Sequence, residues 1–198
     1  MYKVIIFDFF GVFCSSIATD WFKKTVNSDP LKLATFQALC TQSDYGNISR
    51  DTFNQEAARL SGVSVREVIQ GIEAATIINT SLVSYTRTLL GKGFRVACLS
   101  NGTRDWTLRI IIDHGLTDLF EEVVLSADLR IVKPYPEIYI HTLKQLGIAA
   151  SEAIFVDDRK TNVEAAEACG IRSLIFTDTD IFKTAFEDIT RRTAQKGK

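Results

Sequence analysis

The chain is expected to be an α/β protein, a parallel sheet covered by helices on both faces, with a helical segment inserted after the first strand. Three observations carry that expectation. Short, almost wholly apolar runs recur at residues 4–7, 95–99, 123–125, 153–156 and 173–176, the pattern of strands buried on both faces. Helix-like stretches between the later runs each end at a glycine: 103–114 before Gly115, 136–146 before Gly147, and 162–169 before Gly170. Glycine adopts the left-handed conformation that stops a helix. Residues 15–80 break the rhythm, with helix-like segments at 20–27, 30–40, 50–61 and 64–75 and no convincing strand.

Taken in order, VIIF at 4–7 runs into Asp8. Asp51 and Thr52 stand where the third inserted helix would start, and Gly62 where it would stop. Residues 80–90 return the chain to the sheet as a helix, stopped at Gly91 or Gly93. Strand, helix and strand then alternate with short joins, the order a parallel sheet needs. Residues 191–198 are basic and read as a solvated, frayed tail. The expected division is a core of 1–14 and 81–198, and an insertion of 15–80.

The totals set outer bounds. At 198 residues and 46% apolar content, one domain with a proper core is expected, with or without an insertion. A net charge of −1 creates no field favouring nucleic acid or an anionic membrane. No apolar run reaches the roughly 18 residues of a membrane helix, and no secretory-signal pattern opens the chain. Cys14, Cys40, Cys98 and Cys169 lack metal or redox spacing and read as buried thiols in a reducing compartment. A cytoplasmic location, as monomer or homodimer, is the expectation.

In a parallel α/β sheet, ligands bind beyond the carboxyl ends of the strands. The polar groups there are Asp8, Ser100-Asn101-Gly102, Ser126 with Lys133-Pro134 further on, Asp157-Asp158, and Thr177-Asp178. Three carboxylates in one crevice resist ionising together unless cations join them. A lysine and a hard divalent ion such as Mg²⁺ would do so. This describes a phosphoryl-group site. Asp8 can attack phosphorus and form an aspartyl phosphate; Mg²⁺ and Lys133 would neutralise the phosphate oxygens, and the Ser100 hydroxyl and Asn101 amide would donate to them.

The segments FDFFGV, LSNG, VKPYPEIY and FVDDRKTNVEAAEACG, in that order, resemble the four motifs of the haloacid dehalogenase (HAD) superfamily. The resemblance covers nearly the whole chain, and the insertion is similar to the helical cap of the small-cap subgroup. It implies a Rossmann-like core, a mobile cap, Mg²⁺ and a small phosphate-ester substrate. It also implies Asp8 as nucleophile and metal ligand, and Ser100 and Lys133 on the transferred group. Asp158 and the backbone carbonyl of Phe10 would complete the metal set, with Asp157 acting through a water or from behind.

The departure is Phe10. Most phosphatases of the family carry a second aspartate there, which protonates the leaving oxygen and then activates water. General acid–base catalysis is worth about 10²–10⁴-fold. The expectation is therefore a weak or narrow phosphatase, best on good leaving groups such as acyl or anomeric sugar phosphates. Two alternatives stand beside it. One is a phosphate-binding protein with impaired catalysis. The other is a 2-haloacid dehalogenase; those relatives carry tyrosine at this place, need no metal and have little use for Asp157-Asp158.

The remaining residues carry blander expectations. Asn162 is read as capping or stabilising the helix after Asp158. His114 and His141 are read as structural, Trp21 and Trp106 as packing. Cys14, Ser15 and Ser16 form a join to the insertion, and Phe9, Phe10 and Phe13 keep the entrance dry. Asp44-Tyr45-Gly46-Asn47 is a turn whose orientation toward the site is not readable from sequence.

Overall fold

β1 (Val4–Phe7) occupies the centre of the sheet. In the computed structural model, which describes residues 2–15 and 17–196, it pairs in parallel with β2 (Arg95–Ser100) on one side and β4 (Ala153–Asp157) on the other. β3 (Glu122–Leu125) and β5 (Arg172–Ile175) flank these, giving the order β3-β2-β1-β4-β5. Successive strand side chains point to opposite faces, and here both faces are apolar. Ile5, Phe7, Val96, Cys98, Ile154 and Val156 enter one core. Val4, Ile6, Ala97, Leu99, Ala153 and Phe155 enter the other.

Each core needs its own cover. α5 (Thr80–Gly91), α6 (Arg104–Asp113) and α10 (Thr179–Lys196) contribute Leu82, Ile110 and Phe182 to the first. α8 (Pro136–Leu146) and α9 (Lys160–Ala168) contribute Tyr139 and Ala166 to the second. The parallel Rossmann-like sheet is thus as expected. The chain builds β1, β2 and β3 outward, then crosses back to β4, so the carboxyl ends of β1, β2 and β4 frame a crevice at the switch point.

Two expectations fail at the C-terminal end. The run 191–196 is the last part of α10 and not a frayed tail; residues 197 and 198 lie outside the described residues. The helix is anchored by Phe182 and Phe186, one turn apart and buried. Asp178 does not face the crevice; its carboxylate accepts the Ile181 N–H at 2.9 Å at the start of α10. A short helix that the sequence did not suggest, α7 (Ser126–Leu129), follows β3.

Between β1 and α5 the chain forms α1 (Ile17–Thr25), α2 (Pro30–Asp44), α3 (Arg50–Ser61) and α4 (Val65–Ala74). Asp29 caps α2 ahead of Pro30, Ser49 rather than Asp51 or Thr52 caps α3, and Ser64 with Glu67 forms a reciprocal capping box on α4. α2 runs on to Asp44, beyond the expected stop at residue 40. Phe22 stacks on Phe36 with ring centroids 3.9 Å apart, and Phe53 meets Phe36 edge-on. Gly71 lets α4 approach Trp21, because a Cβ there would overlap the indole.

The two chain crossings into and out of these helices are tied to each other. The Ser15 N–H donates to Ile77 O at 3.0 Å, the Ile77 N–H donates to Ser15 Oγ, and that hydroxyl donates to Ala75 O. Asn79 continues the tie: its N–H donates to Phe13 O and its Nδ2 to Val12 O. Ser16, the third residue of the expected join, lies outside the described residues. Cys14 and Cys98 are buried as expected, but Cys40 and Cys169 are only half-buried; all four are free thiols. No helix among the described residues is long and apolar enough to cross a membrane.

Asn79 also caps α5, its Oδ1 accepting from Leu82 N and from Thr179 Oγ1 of α10. Replacing it with alanine removes the cap and the tie together. Asn79→Ala is expected to lower the unfolding free energy by about 1–2 kcal/mol. The readout is the denaturant midpoint at constant m-value; an unmoved midpoint would show that neighbouring groups carry the join.

Candidate active site

The crevice is organised around Lys133. Its side chain is 1% exposed, and its Nζ donates to three acceptors: Leu99 O at 2.8 Å, Asp157 Oδ2 at 2.7 Å and Asp8 Oδ1 at 2.8 Å. These sit on or just beyond β2, β4 and β1. The strand register explains their meeting, since Phe7 pairs with Cys98 and with Val156. The next step along each strand presents Asp8, Leu99 and Asp157 side by side. Burial alone pulls the Lys133 ammonium down, but Asp8 and Asp157 outweigh it and its pKa is raised.

One ammonium does not balance the carboxylates around it. An oxygen from each of Asp8, Asp157 and Asp158 lies within 4.8 Å of the others. Burial pushes Asp8 up to about 7; Lys133 pulls it back, while Asp157 and Asp158 add to the rise. Asp8 Oδ1 accepts both from Lys133 and from the Phe9 N–H at 2.7 Å. Its other oxygen has no hydrogen-bond partner among the described residues, and Asp8 lines the cavity above the crevice.

Asp157 and Asp158 differ sharply although they are adjacent. Asp157 is fully buried and its oxygens are engaged by Lys133 Nζ, Asn162 Nδ2 and the Arg159 N–H. Asn162 therefore does not cap a helix, as its position suggested; it sits inside α9 and orients Asp157. Asp158 opens onto the cavity, its pKa raised by partial burial and by Asp157. It packs on the backbone at Gly11, where φ is +88° and a Cβ would overlap the Asp158 carboxylate. Only glycine meets both conditions.

The other expected site residues are placed less simply. The Asn101 side chain does not point its amide at a ligand: Nδ2 donates to Lys133 O and Oδ1 accepts the Lys133 N–H at 2.8 Å. It fixes the Lys133 main chain, and its donor left over is the backbone N–H. Ser100 is fully buried beneath the cavity wall, its Oγ making only a 3.5 Å contact with Asn101 O. Phe10 lines the cavity, with its ring edge-on to Phe9. Phe9 and Phe13 are core residues and do not guard an entrance.

The cavity, about 430 Å³, lies between the strand ends and the inserted helices. Cys40, Asp44, Phe53 and Ile72 form its far wall. Trp106 lines it as well, so it is not packing alone; the Arg50 guanidinium lies over its ring, 4.2 Å from the centroid. Arg159 and Asp44 are cavity residues the sequence did not assign to the site. Arg159 follows the paired aspartates directly, which was a usable signal. Asp44 had none beyond its turn-like setting.

Residues 2–170 match the haloacid dehalogenase-like hydrolase family. The chain belongs to the HAD-like hydrolases. This HAD-like chain is 38% identical over 98 residues to a sesquiterpene phosphatase of Aspergillus oryzae, covering 50% of each. It is 31% identical over 84 residues to a phosphoglycolate phosphatase of Nitrosococcus oceani, covering 42% of this chain and 37% of that protein. It thus spans half or less of the length of these curated relatives. Among solved structures, a HAD family enzyme of Bacteroides thetaiotaomicron in complex with magnesium and inorganic phosphate superposes with a TM-score of 0.75 at 23% identity, covering 89% of this chain and 95% of that one. A HAD-like hydrolase of Porphyromonas gingivalis gives a TM-score of 0.77 at 21% identity, covering 96% and 98%. These two share the fold.

Two outcomes follow from the geometry. Gly11→Ala is expected to destabilise by at least about 1–2 kcal/mol, the cost of forcing a side chain into a left-handed backbone; equal stability in a denaturant titration would mean that Asp158 yields freely. Asp44 offers a pH test. Burial pushes its carboxyl up to about 6, with Lys133 and Arg159 pulling it back, against an ordinary value of 3.8. The folded state therefore holds this proton more tightly than the unfolded chain, and ionisation opposes folding as pH rises from about 4 to 6. The melting temperature of Asp44→Asn, relative to the wild type, is expected to climb across that window and level off above it. A constant difference from pH 4 to 7 would contradict the assignment.

Proposed function

We propose that this HAD-like hydrolase is a Mg²⁺-dependent phosphatase, acting on a small phosphorylated metabolite through an aspartyl phosphate on Asp8. The observation that carries the reading is the threefold grip of Lys133. It holds Asp8 by one oxygen and leaves the other facing the cavity, where a phosphorus atom can be attacked. Lys133, the Ser100 hydroxyl and the Asn101 N–H would bind the transferred phosphoryl oxygens, Lys133 exchanging one present acceptor for the ligand.

The donor set suits a hard cation. Asp8 and Asp158 offer carboxylate oxygens beside an excess of negative charge, and the Phe10 carbonyl would be a further oxygen ligand. Asp157, engaged on both oxygens, fits a supporting place behind them. The ion would supply charge neutralisation on the phosphoryl oxygens. The magnesium and phosphate in the Bacteroides enzyme support this reading, and so do the phosphatases among the relatives.

Residues 15–80 are read as a cap over a core of 1–14 and 81–198, with the paired crossing at Ser15 and Ile77 as its hinge. Phe10 brings no proton to the reaction. Without another donor, turnover is slow and favours weakly basic leaving groups by the roughly 10²–10⁴-fold that an acid supplies. The three clustered carboxylates support phosphate chemistry over dehalogenation, which has no use for a metal site.

The test is phosphate release from a panel of esters with Mg²⁺, with and without chelator, beside Asp8→Asn. Activity is expected to vanish in the variant and with chelator. Unchanged hydrolysis by Asp8→Asn would overturn the reading, and metal-independent chloride release from 2-chloropropionate would replace it.

A further inference from the structure

We propose that Asp44, from the inserted helices, is the catalytic acid and base that position 10 does not provide. This rests on the phosphatase reading above. In-line attack by Asp8 places the leaving oxygen on the far side of phosphorus. Asp44 lines the same cavity as Asp8 and comes from the inserted helices rather than from the strand ends. Phe53 and Ile72, which line the cavity from the same helices, are apolar and carry no proton, and neither does Phe10 beside Asp8.

The Asp44 side chain has no structural duty. Its carboxylate makes no hydrogen bond or ion pair among the described residues. It is the last residue of α2, where the helix dipole disfavours a negative charge. Its main chain, by contrast, is held firmly. Ser126 Oγ donates to Asp44 O at 2.6 Å and accepts the Gly102 N–H at 3.0 Å, which ties the turn to the loop that carries Ser100 and Asn101. Two residues on, Gly46 has φ of +67° and lies so close to Ala127 that a Cβ would sit 2.6 Å from its carbonyl oxygen. An unpartnered carboxyl is thus aimed into the cavity from a fixed backbone.

The other charged groups lining the cavity are Lys133, Arg159, Asp8 and Asp158, of which Lys133 and Arg159 pull the Asp44 carboxyl down, and Cys40 is its titratable neighbour on α2. Burial outweighs both cations and pushes the carboxyl up to about 6, so it can both give and take a proton in mildly acidic solution. In the first step the Asp8 oxygen bonds to phosphorus, the bond from phosphorus to the leaving oxygen breaks, and that oxygen takes the Asp44 proton. In the second, water bonds to phosphorus and passes a proton to the Asp44 carboxylate. The Asp8–phosphorus bond breaks, releasing inorganic phosphate and restoring both groups.

The experiment is burst kinetics of wild type and Asp44→Asn on 2,4-dinitrophenyl phosphate and phenyl phosphate, with Mg²⁺. Dinitrophenol needs no proton to leave. Its burst is expected to persist in the variant, which also shows the site is folded, while steady turnover falls about 10²–10⁴-fold. With phenyl phosphate the first turnover itself is expected to slow by a similar factor. Equal loss in every phase on both esters, or no loss at all, overturns the proposal while Asp8-dependent hydrolysis leaves the phosphatase reading standing. Absence of any Asp8-dependent hydrolysis in the wild type overturns both.

Discussion

One buried ammonium ties the three central strands together at their carboxyl ends. Lys133 arrives from the β3 side of the sheet and places its three protons on Leu99 O, Asp157 and Asp8. A buried charge is tolerated only when it is paired and its hydrogen bonds are complete, and here both conditions hold. The arrangement depends on strand register. A slip of one residue in β1 would turn Asp8 away and leave the ammonium beside an apolar side chain. The sheet and the reactive carboxylate are therefore specified by the same pairing.

The same charge explains the division of labour among the carboxylates. Asp157 accepts from Lys133, Asn162 and the Arg159 N–H, and so serves to hold. Asp8 keeps an oxygen free, and Asp158 keeps its carboxylate open to the cavity. Asn101 supports Lys133 from its main-chain side. What looks in the sequence like a list of polar strand ends is a layered structure, in which the inner layer fixes the outer one.

Much of the sheet was legible because a strand buried on both faces must be apolar throughout, and a polar group at its end then stands out. Asp8, Asp157 and Asp158 were readable for that reason, and Lys133 from the charge they need balanced and from the segment VKPYPEIY. Asn162 was visible, but its role was not: its contact with Asp157 joins the first turn of α9 to the end of β4 and leaves no local pattern. α10 was missed although Phe182 and Phe186 lie one turn apart, since charged residues surround them. Asp44 was named only within a turn of unknown orientation. The facing of one packed unit on another is set by long-range contacts such as Ser126 to Asp44, which no periodicity encodes.

The crossing at Ser15 and Ile77 bears on how the chain folds. Val4 and Arg95 are neighbours in the sheet but about ninety positions apart in the chain. Bringing them together in an otherwise open chain is a slow, long-range search. Ser15 and Ile77, 62 positions apart, are joined by one main-chain hydrogen bond and by a second from the Ile77 N–H to the Ser15 hydroxyl. Once the inserted helices have packed on one another, that junction draws their two ends together. The remaining search spans only the short stretches on either side, so a segment that interrupts the sheet in sequence can hasten its assembly.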